Sequence, residues 1–366
     1  MSYINLNPGS CQACYKCIRE CPVKSIQFKD DKATIIEQEC ILCGKCIEVC
    51  PQKAKFIQSE LEEVKQTLYK GQKVILSLAP SYKAWFDDDF ETIASKLVAI
   101  GFYDVQETAI GANLVNHDYI RLMKEGHMPV MISSACPSIV MLIERHFPSL
   151  LYMLTPTLSP MMAHAKLIKE YYPDAHVIFA GPCISKKYEP SDIFSSGYVD
   201  NVLTFDELEI LIKELPKKPS NENHFIGMDE PAARMYPRSS GIIDSISKIA
   251  PFEGYMPIAI DGAKDCIDMF TYLEECVKLK KMPEDKLFIE ANICKDACMN
   301  GPLFKINKRR TVFARHKLSD KKEAHDESNP INSYAKIISI NRQYLNRKQK
   351  VQKPTEDDIV NILTQM

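Results

Sequence analysis

The sequence predicts an α/β protein in two unequal parts: a small cysteine-rich module, then a larger domain of parallel sheets flanked by helices. Three observations predict it. Eight of the fourteen cysteines fall between Cys11 and Cys50, in a repeated pattern. Beyond residue 72, short apolar runs alternate with helical stretches, the rhythm of parallel sheets covered on both faces. The 366 residues exceed one ordinary core and leave room for two or three domains.

Composition narrows the function classes. Apolar residues make up 45% and charged residues 26%, the mix of a globular chain, and the formal charge is −2. Nothing there draws the chain to nucleic acid or to an anionic membrane. No apolar run reaches the roughly 20 residues of a membrane helix. The amino end lacks a basic head followed by an apolar stretch. A cytoplasmic location is therefore expected, with no membrane and no nucleic acid as partner.

In the module, Cys11, Cys14, Cys17 and Cys21 stand at C-x2-C-x2-C-x3-C and are followed by Pro22. Cys40, Cys43, Cys46 and Cys50 repeat the spacing and are followed by Pro51. A disulfide scaffold suits small secreted domains, and nothing here says secreted. Zinc prefers isolated CxxC pairs. The spacing is that of the bacterial two-cluster ferredoxin run, in which the fourth cysteine of each run ligates the other cluster. One 4Fe-4S cluster is thus assigned to Cys11, Cys14, Cys17 and Cys50. The other is assigned to Cys40, Cys43, Cys46 and Cys21. Between the runs, Ser25–Phe28 and Ala33–Ile36 read as short strands.

Residues 59–72 read as a linking helix. Strands are then expected at Val74–Ala79, Pro129–Ile132, His176–Ala180, Met256–Ile260 and Leu287–Ala291. Helices are expected at Tyr82–Ile100 and at about 114–125, 137–147, 161–172, 205–214, 241–249 and 263–281. With 13 glycines, about half the ~7% norm, and no GxGxxG or Walker loop, a nucleotide is not the expected ligand.

Ligands of open α/β sheets sit beyond the carboxyl ends of the strands. Pro80 and Ser81 follow the first of these strands. Ala135 and Cys136 follow the second, Cys183 and Lys186 the third, and Cys294 and Cys298 the last. Four convergent thiolates make one more 4Fe-4S site or a zinc site; scattered buried thiols are the bland alternative. Cys266 and Cys276, ten apart in a helical pattern, read as core. Lys186 and Lys187 read as a solvated loop unless the neighbouring Cys183 gives them a task.

At these residues the chain resembles the iron-only (FeFe) hydrogenases, from the ferredoxin-like module to about residue 303. SSACP at 133–137 is similar to the family's TSCCP, GPCISKKYE at 181–189 to MPCxxKxxE, and EANICKDACMNGP at 290–302 to ExMACxxGCxxGG. The resemblance implies an H-cluster domain in which Cys136, Cys183, Cys294 and Cys298 hold a third 4Fe-4S cluster. Cys298 would bridge to a two-iron subcluster with CO, CN and azadithiolate ligands. Lys186 would donate to a cyanide and Glu189 would orient Lys186. Pro80 and Ser81 would lie near the dithiolate. The domain layout so implied is 1–58 for the ferredoxin-like domain, 59–318 for the H-cluster domain and 319–366 for a linker and helical tail.

The departures bear on activity. Catalytic members carry a proton-relaying cysteine where this chain has Ala135, and methionines where it has Gly181 and Asn292. The glycine-rich third loop is here Lys295, Asp296, Met299 and Asn300. Thr155 stands in for a path serine, and Asp118 is the nearby carboxylate. Such departures resemble those of the sensory, slow subgroup. The expected function is reversible conversion of H2 to protons and electrons, reporting H2 or redox state. A ferredoxin-type redox partner and a downstream signalling protein are expected. Two other readings stay open: a non-catalytic, assembly-type iron–sulfur protein without the two-iron unit, and a ferredoxin-fed reductase of a small molecule. The basic stretch at 304–322 reads as a solvated face, with docking to an acidic partner patch as the alternative, and His316 and His325 at the surface. Ser319–Pro330 reads as a linker, Ile331–Arg347 as a helix, and a final helix starts at Pro354-Thr355.

Overall fold

The computed structural model describes residues 3–217, 232–306 and 338–349. The calls on 307–330, including both histidines, and on the helix from Pro354 lie outside the described residues.

The module repeats in backbone as it does in sequence. Strands β1 (Ile4–Leu6), β2 (Ile26–Lys29), β3 (Lys32–Ile35) and β4 (Lys55–Ile57) form two antiparallel pairs, β1 with β4 and β2 with β3. Short helices α1 (Lys16–Glu20) and α2 (Lys45–Glu48) follow the two cysteine loops. Positive φ angles recur at matching places: Ala13 and Leu42, Tyr15 and Gly44, Lys24 and Lys53. A tight loop that aims several thiols at one point forces such angles on whatever residue is present.

The larger part holds two parallel sheets. The linking helix is α3 (Leu61–Tyr69). After β5 (Val74–Leu78), the predicted long helix is split into α4 (Tyr82–Trp85) and α5 (Phe90–Ala99). Asp89 caps α5, its carboxylate accepting from Thr92 N at 2.9 Å. Strand β6 (Asp104–Glu107) leads to α6 (Ala109–Glu125), and β7 (Val130–Ile132) to α7 (Pro137–His146) and α8 (Pro160–Tyr171). Then come β8 (His176–Ala180), β9 (Asn201–Leu203), α9 (Phe205–Glu214), α10 (Gly241–Ser247), β10 (Tyr255–Asp261), α11 (Ala263–Leu279), β11 (Lys286–Asn292) and α12 (Pro302–Ile306). One sheet has the order β6-β5-β8-β9 and the other β10-β11-β7, all parallel.

Strands β6 and β9 are unannounced by apolar runs because their buried residues are partly polar. Asp104, Gln106 and Glu107 are all buried. They are satisfied by one another and by neighbours: Gln106 Nε2 donates to Asp104 at 2.7 Å and Tyr82 OH to Glu107 at 3.1 Å.

One expectation is overturned. Residues 338–347, the described part of the predicted helix over Ile331–Arg347, form no helix. Asn341 bridges Thr157, Leu158 N donates to Ile340 O at 2.7 Å, and Arg342 N donates to Pro156 O at 3.0 Å. Pairing with residues 156–158 and burial of Arg342 outweigh local helix propensity.

The core divides in a way the chain order does not suggest. Residues of the four-stranded sheet and its helices form one cluster. The other joins module residues such as Ile4, Ile26 and Ile41 to Val130, Ile132, Phe270 and Ile289 of the three-stranded layer. Cys266 and Cys276 are buried in or beside it, as expected for core. Among the described residues no helix is long and apolar enough to cross a membrane.

Candidate iron–sulfur and catalytic centre

The structure gathers the twelve motif cysteines into three quartets. Cys11, Cys14, Cys17 and Cys50 line one cavity of the module. Cys21, Cys40, Cys43 and Cys46 line another. The exchange of the fourth cysteine thus appears in the geometry. Cys136, Cys183, Cys294 and Cys298 line a third cavity, and Cys43 shares its wall. All twelve are free thiols.

These quartets fit a four-iron cluster. Each cavity has four thiols around it. That is what a cube needs, since each iron takes its own thiolate. Amide and hydroxyl donors already face the sulfurs: Ala54 N lies 3.3 Å from Cys50 Sγ, Leu42 N 3.4 Å from Cys40 Sγ, and Ser185 Oγ 3.2 Å from Cys183 Sγ. Burial pushes the Cys43 thiol up to about 12 and the Cys136 and Cys294 thiols up as well. Neighbouring thiols add to the shift at Cys136 and Cys294. Bare thiolates are thus disfavoured there, and a metal group held by them would supply the compensating positive charge.

The third quartet lies where the carboxyl ends of both sheets meet. Strand β7 runs into Ala135-Cys136, and Cys136 precedes α7. Strand β8 runs into Cys183 and then a short 3-10 turn, Ser185–Lys187. Strand β11 runs into Cys294, with Cys298 on the turn Ala297–Asn300.

Lys186 is not a solvated loop residue. Its side chain is 11% exposed, and Nζ donates to Glu189 Oε2 at 2.9 Å, Ser159 Oγ at 2.8 Å and Ala135 O at 3.4 Å. Glu189 is 1% exposed, so the ammonium is held by a buried carboxylate and a buried hydroxyl. Ser159 also caps α8, which fixes its rotamer. Lys187 is equally buried but turned away; it donates to Val202 O at 2.5 Å and lies 3.2 Å from Glu207. It ties β9 to α9 and has no place at the quartet.

The remaining candidates separate. Ala135 adjoins Cys136 and offers its carbonyl to Lys186. Pro80 and Ser81 stand buried at the carboxyl end of β5 but do not line the cysteine cavity. Gly181 leaves no open gap: a Cβ there would come within 2.7 Å of the Phe179 ring. Asn292 Nδ2 donates to Glu290 Oε1 at 3.2 Å. Burial holds the Glu290 carboxyl up at about 7, although Ile242 N and Ile243 N both donate to it at 3.0 Å.

The hydroxyl touching Asp118 is Thr157 Oγ1, at 2.6 Å, not that of Thr155. Thr155 Oγ1 sits 3.1 Å from Ile132 O and from Ser134 Oγ. Sequence reading missed Ser159, Thr157 and Arg342. Serine and threonine in a loop carry no signature, and Arg342 lies about 150 residues from the carboxylate it meets.

A dicluster module packed against a thiol quartet at the ends of two parallel sheets defines an iron–sulfur redox protein. Residues 72–302 match the family described as "Iron only hydrogenase large subunit, C-terminal domain", and residues 3–51 match a 4Fe-4S dicluster domain. The chain belongs to the iron-only hydrogenase family. It is 28% identical over 183 residues to "Iron hydrogenase 1" of Clostridium pasteurianum, covering 43% of this chain and 32% of that protein. It is 26% identical over 251 residues to "NADP-reducing hydrogenase subunit HndD" of Solidesulfovibrio fructosivorans, covering 58% and 37%. The chain thus spans about a third of the length of these curated relatives. In fold it is similar to FeFe-hydrogenase HydA1 of Chlamydomonas reinhardtii, with a TM-score of 0.57 at 15% identity over 80% of this chain and 100% of that one.

Proposed function

We propose that this chain is a sensory FeFe hydrogenase that slowly interconverts H2 with protons and electrons and reports H2 or redox state. The observation that carries the reading is the pairing of Lys186 and Ala135. A buried, oriented ammonium faces the quartet side of the fold, while the adjacent position that should pass protons is a methyl group.

Cys136, Cys183, Cys294 and Cys298 would hold a 4Fe-4S cube, with Cys298 also the bridge to a two-iron unit bearing CO, CN and azadithiolate. When bound, that unit supplies the site at which H2 is made or split. The chain's own residues set the terms. Glu189 and Ser159 fix Lys186 as a donor for an anionic ligand. Ala135 removes a proton carrier, and general acid–base transfer typically contributes 10²–10⁴-fold, so turnover is slow. Electrons would pass from the Cys11 quartet to the Cys21 quartet and on through the wall where Cys43 meets the third cavity. A ferredoxin-type carrier is the redox partner of this reading, a signalling protein its output, and the thiol-reducing cytoplasm its setting.

Infrared spectroscopy of protein matured with the two-iron unit tests it. Carbonyl and cyanide bands that respond to H2 are the expected result. Bands absent from fully matured protein, with iron stopping at about twelve per chain, would instead support the non-catalytic assembly-type alternative.

A further inference from the structure

The non-helical segment 338–349 lays two arginines over the Lys186 loop, and the charges there balance in an unusual way. Three carboxylates are buried: Glu144 at 1%, Glu189 at 1% and Asp192 at 2% exposure. Three cations meet them. Lys186 takes Glu189 Oε2 at 2.9 Å. Arg342, with its side chain 3% exposed, lies 3.4 Å from Glu189 Oε1 and 3.7 Å from Asp192. Arg347 lies 2.7 Å from Asp192 and 3.1 Å from Glu144. The segment is anchored independently: Tyr344 OH donates to Thr155 O at 2.7 Å, Leu345 N to Glu144 at 3.1 Å and Lys166 Nζ to Ser339 O at 2.5 Å.

Without residues 338–349, Lys186 would be the one cation in this group facing three buried carboxylates. Its charge would be more than cancelled, and Glu189 would be free to turn either oxygen toward it. With the segment in place, Arg342 occupies Oε1 and leaves Oε2 for Lys186. A buried carboxylate between two cations is held in position, and removing one partner leaves charge uncompensated.

We propose that Arg342 is a positioning residue for Lys186, acting through Glu189, and that it keeps the ammonium's positive field directed at the thiol quartet. This inference rests on the proposed function, in which Lys186 serves the group bound at that quartet. Reduction adds negative charge to the site. Loss of Arg342 therefore makes the site harder to reduce and increases electron density on any bound carbonyl or cyanide.

The test uses the full chain reconstituted anaerobically with its 4Fe-4S clusters, and the midpoint potential of the site cluster followed by electron paramagnetic resonance. Arg342→Gln should shift that potential downward and Arg342→Lys should largely restore it. Arg347→Gln removes the same charge without touching Glu189 and should shift it less. The paired variant Arg342→Gln with Glu189→Gln leaves no uncompensated charge, so it keeps the test alive if the single variant does not fold; its potential should return toward wild type. In matured protein the cyanide bands of Arg342→Gln should move to lower wavenumber. Equal shifts in Arg342→Gln and Arg347→Gln, an unrestored Arg342→Lys, or a paired variant as far from wild type as either single change would overturn the inference. Wild-type protein without cyanide bands would instead overturn the hydrogenase reading, while the cluster potentials would still decide the role of Arg342.

Discussion

The two halves of the amino-terminal module carry the same cysteine spacing and the same left-handed turns, yet they sit in opposite surroundings. Position 15 is Tyr at φ 59° and 44% exposed, its ring 4.7 Å from that of Phe28. The matching position 44 is Gly at φ 76°, where a Cβ would come 2.5 Å from Ile184 and 2.9 Å from Pro302 of the larger domain. One half faces solvent and the other is pressed against the larger domain. Equivalent spacing therefore does not mean equivalent duty: the outer quartet can meet a partner, and the inner one meets the third cavity through Cys43.

Exchanging the two residues is the strongest way to break this asymmetry. Gly44→Tyr would drive a ring into Ile184 and Pro302 and strain a left-handed backbone. A loss of roughly 3 kcal/mol is expected in unfolding measurements, with slower reduction of the site cluster by an external carrier. Unchanged stability would mean that the two parts do not rely on this contact.

Removing one ligand from each half sharpens the same point. Cys43→Ser and Cys14→Ser should each lower iron by about four atoms per chain. Only Cys43→Ser should also lower the melting temperature of the larger domain, because its side chain walls both cavities. A chelator added slowly to oxidised protein should likewise empty the outer quartet, with its exposed Cys14, before the inner one. Iron counts paired with cluster spectra would read both outcomes.

Acid separates the larger domain from the module, which contains no histidine. His164 is fully buried, with Nδ1 2.8 Å from Ser77 Oγ and Nε2 3.1 Å from Gln106 Oε1. Since Gln106 Oε1 can only accept, Nε2 carries the proton and Nδ1 accepts from Ser77. Burial holds this imidazole down to about 3, against an ordinary value of 6.5. The unfolded chain thus binds the extra proton first. The stability His164 contributes is whole above pH 6.5 and declines as pH falls toward 3. The decline should be roughly 2 kcal/mol between pH 6.5 and 5. His164→Gln should flatten it in pH-dependent denaturant titrations.

The smallest effect belongs to the exposed half. Tyr15→Gly relieves a left-handed strain and loses one aromatic contact, so stability should change by less than about 1 kcal/mol. A large loss there would show that the outer half has a packing role like that of the inner half.

Much of this was legible beforehand. Strands β5, β7, β8, β10 and β11 lie within a residue or two of their apolar runs; all but the edge strand β10 are buried along nearly their whole length, and strands buried on both faces are apolar throughout. The grouping of the eight module cysteines was legible because it follows a regular spacing along the chain. Strands β6 and β9 were not, since their buried positions include Asp104 and Gln106, which bond to each other, and Asn201, which reaches Glu60 and Glu63 far back in the chain. Nor was the non-helical run 338–349, whose course is set by pairing with residues 156–158 far back in the chain.

By itself, the sequence determined the parallel α/β plan and the family, because both rest on local spacing or periodicity. Only the tertiary structure decided that Lys186 is buried and Lys187 turned away, that Gly44 marks the docked half of the module, and that Arg342 meets Glu189. Those facts depend on charge compensation and close packing between segments far apart in the chain, and no local pattern encodes them.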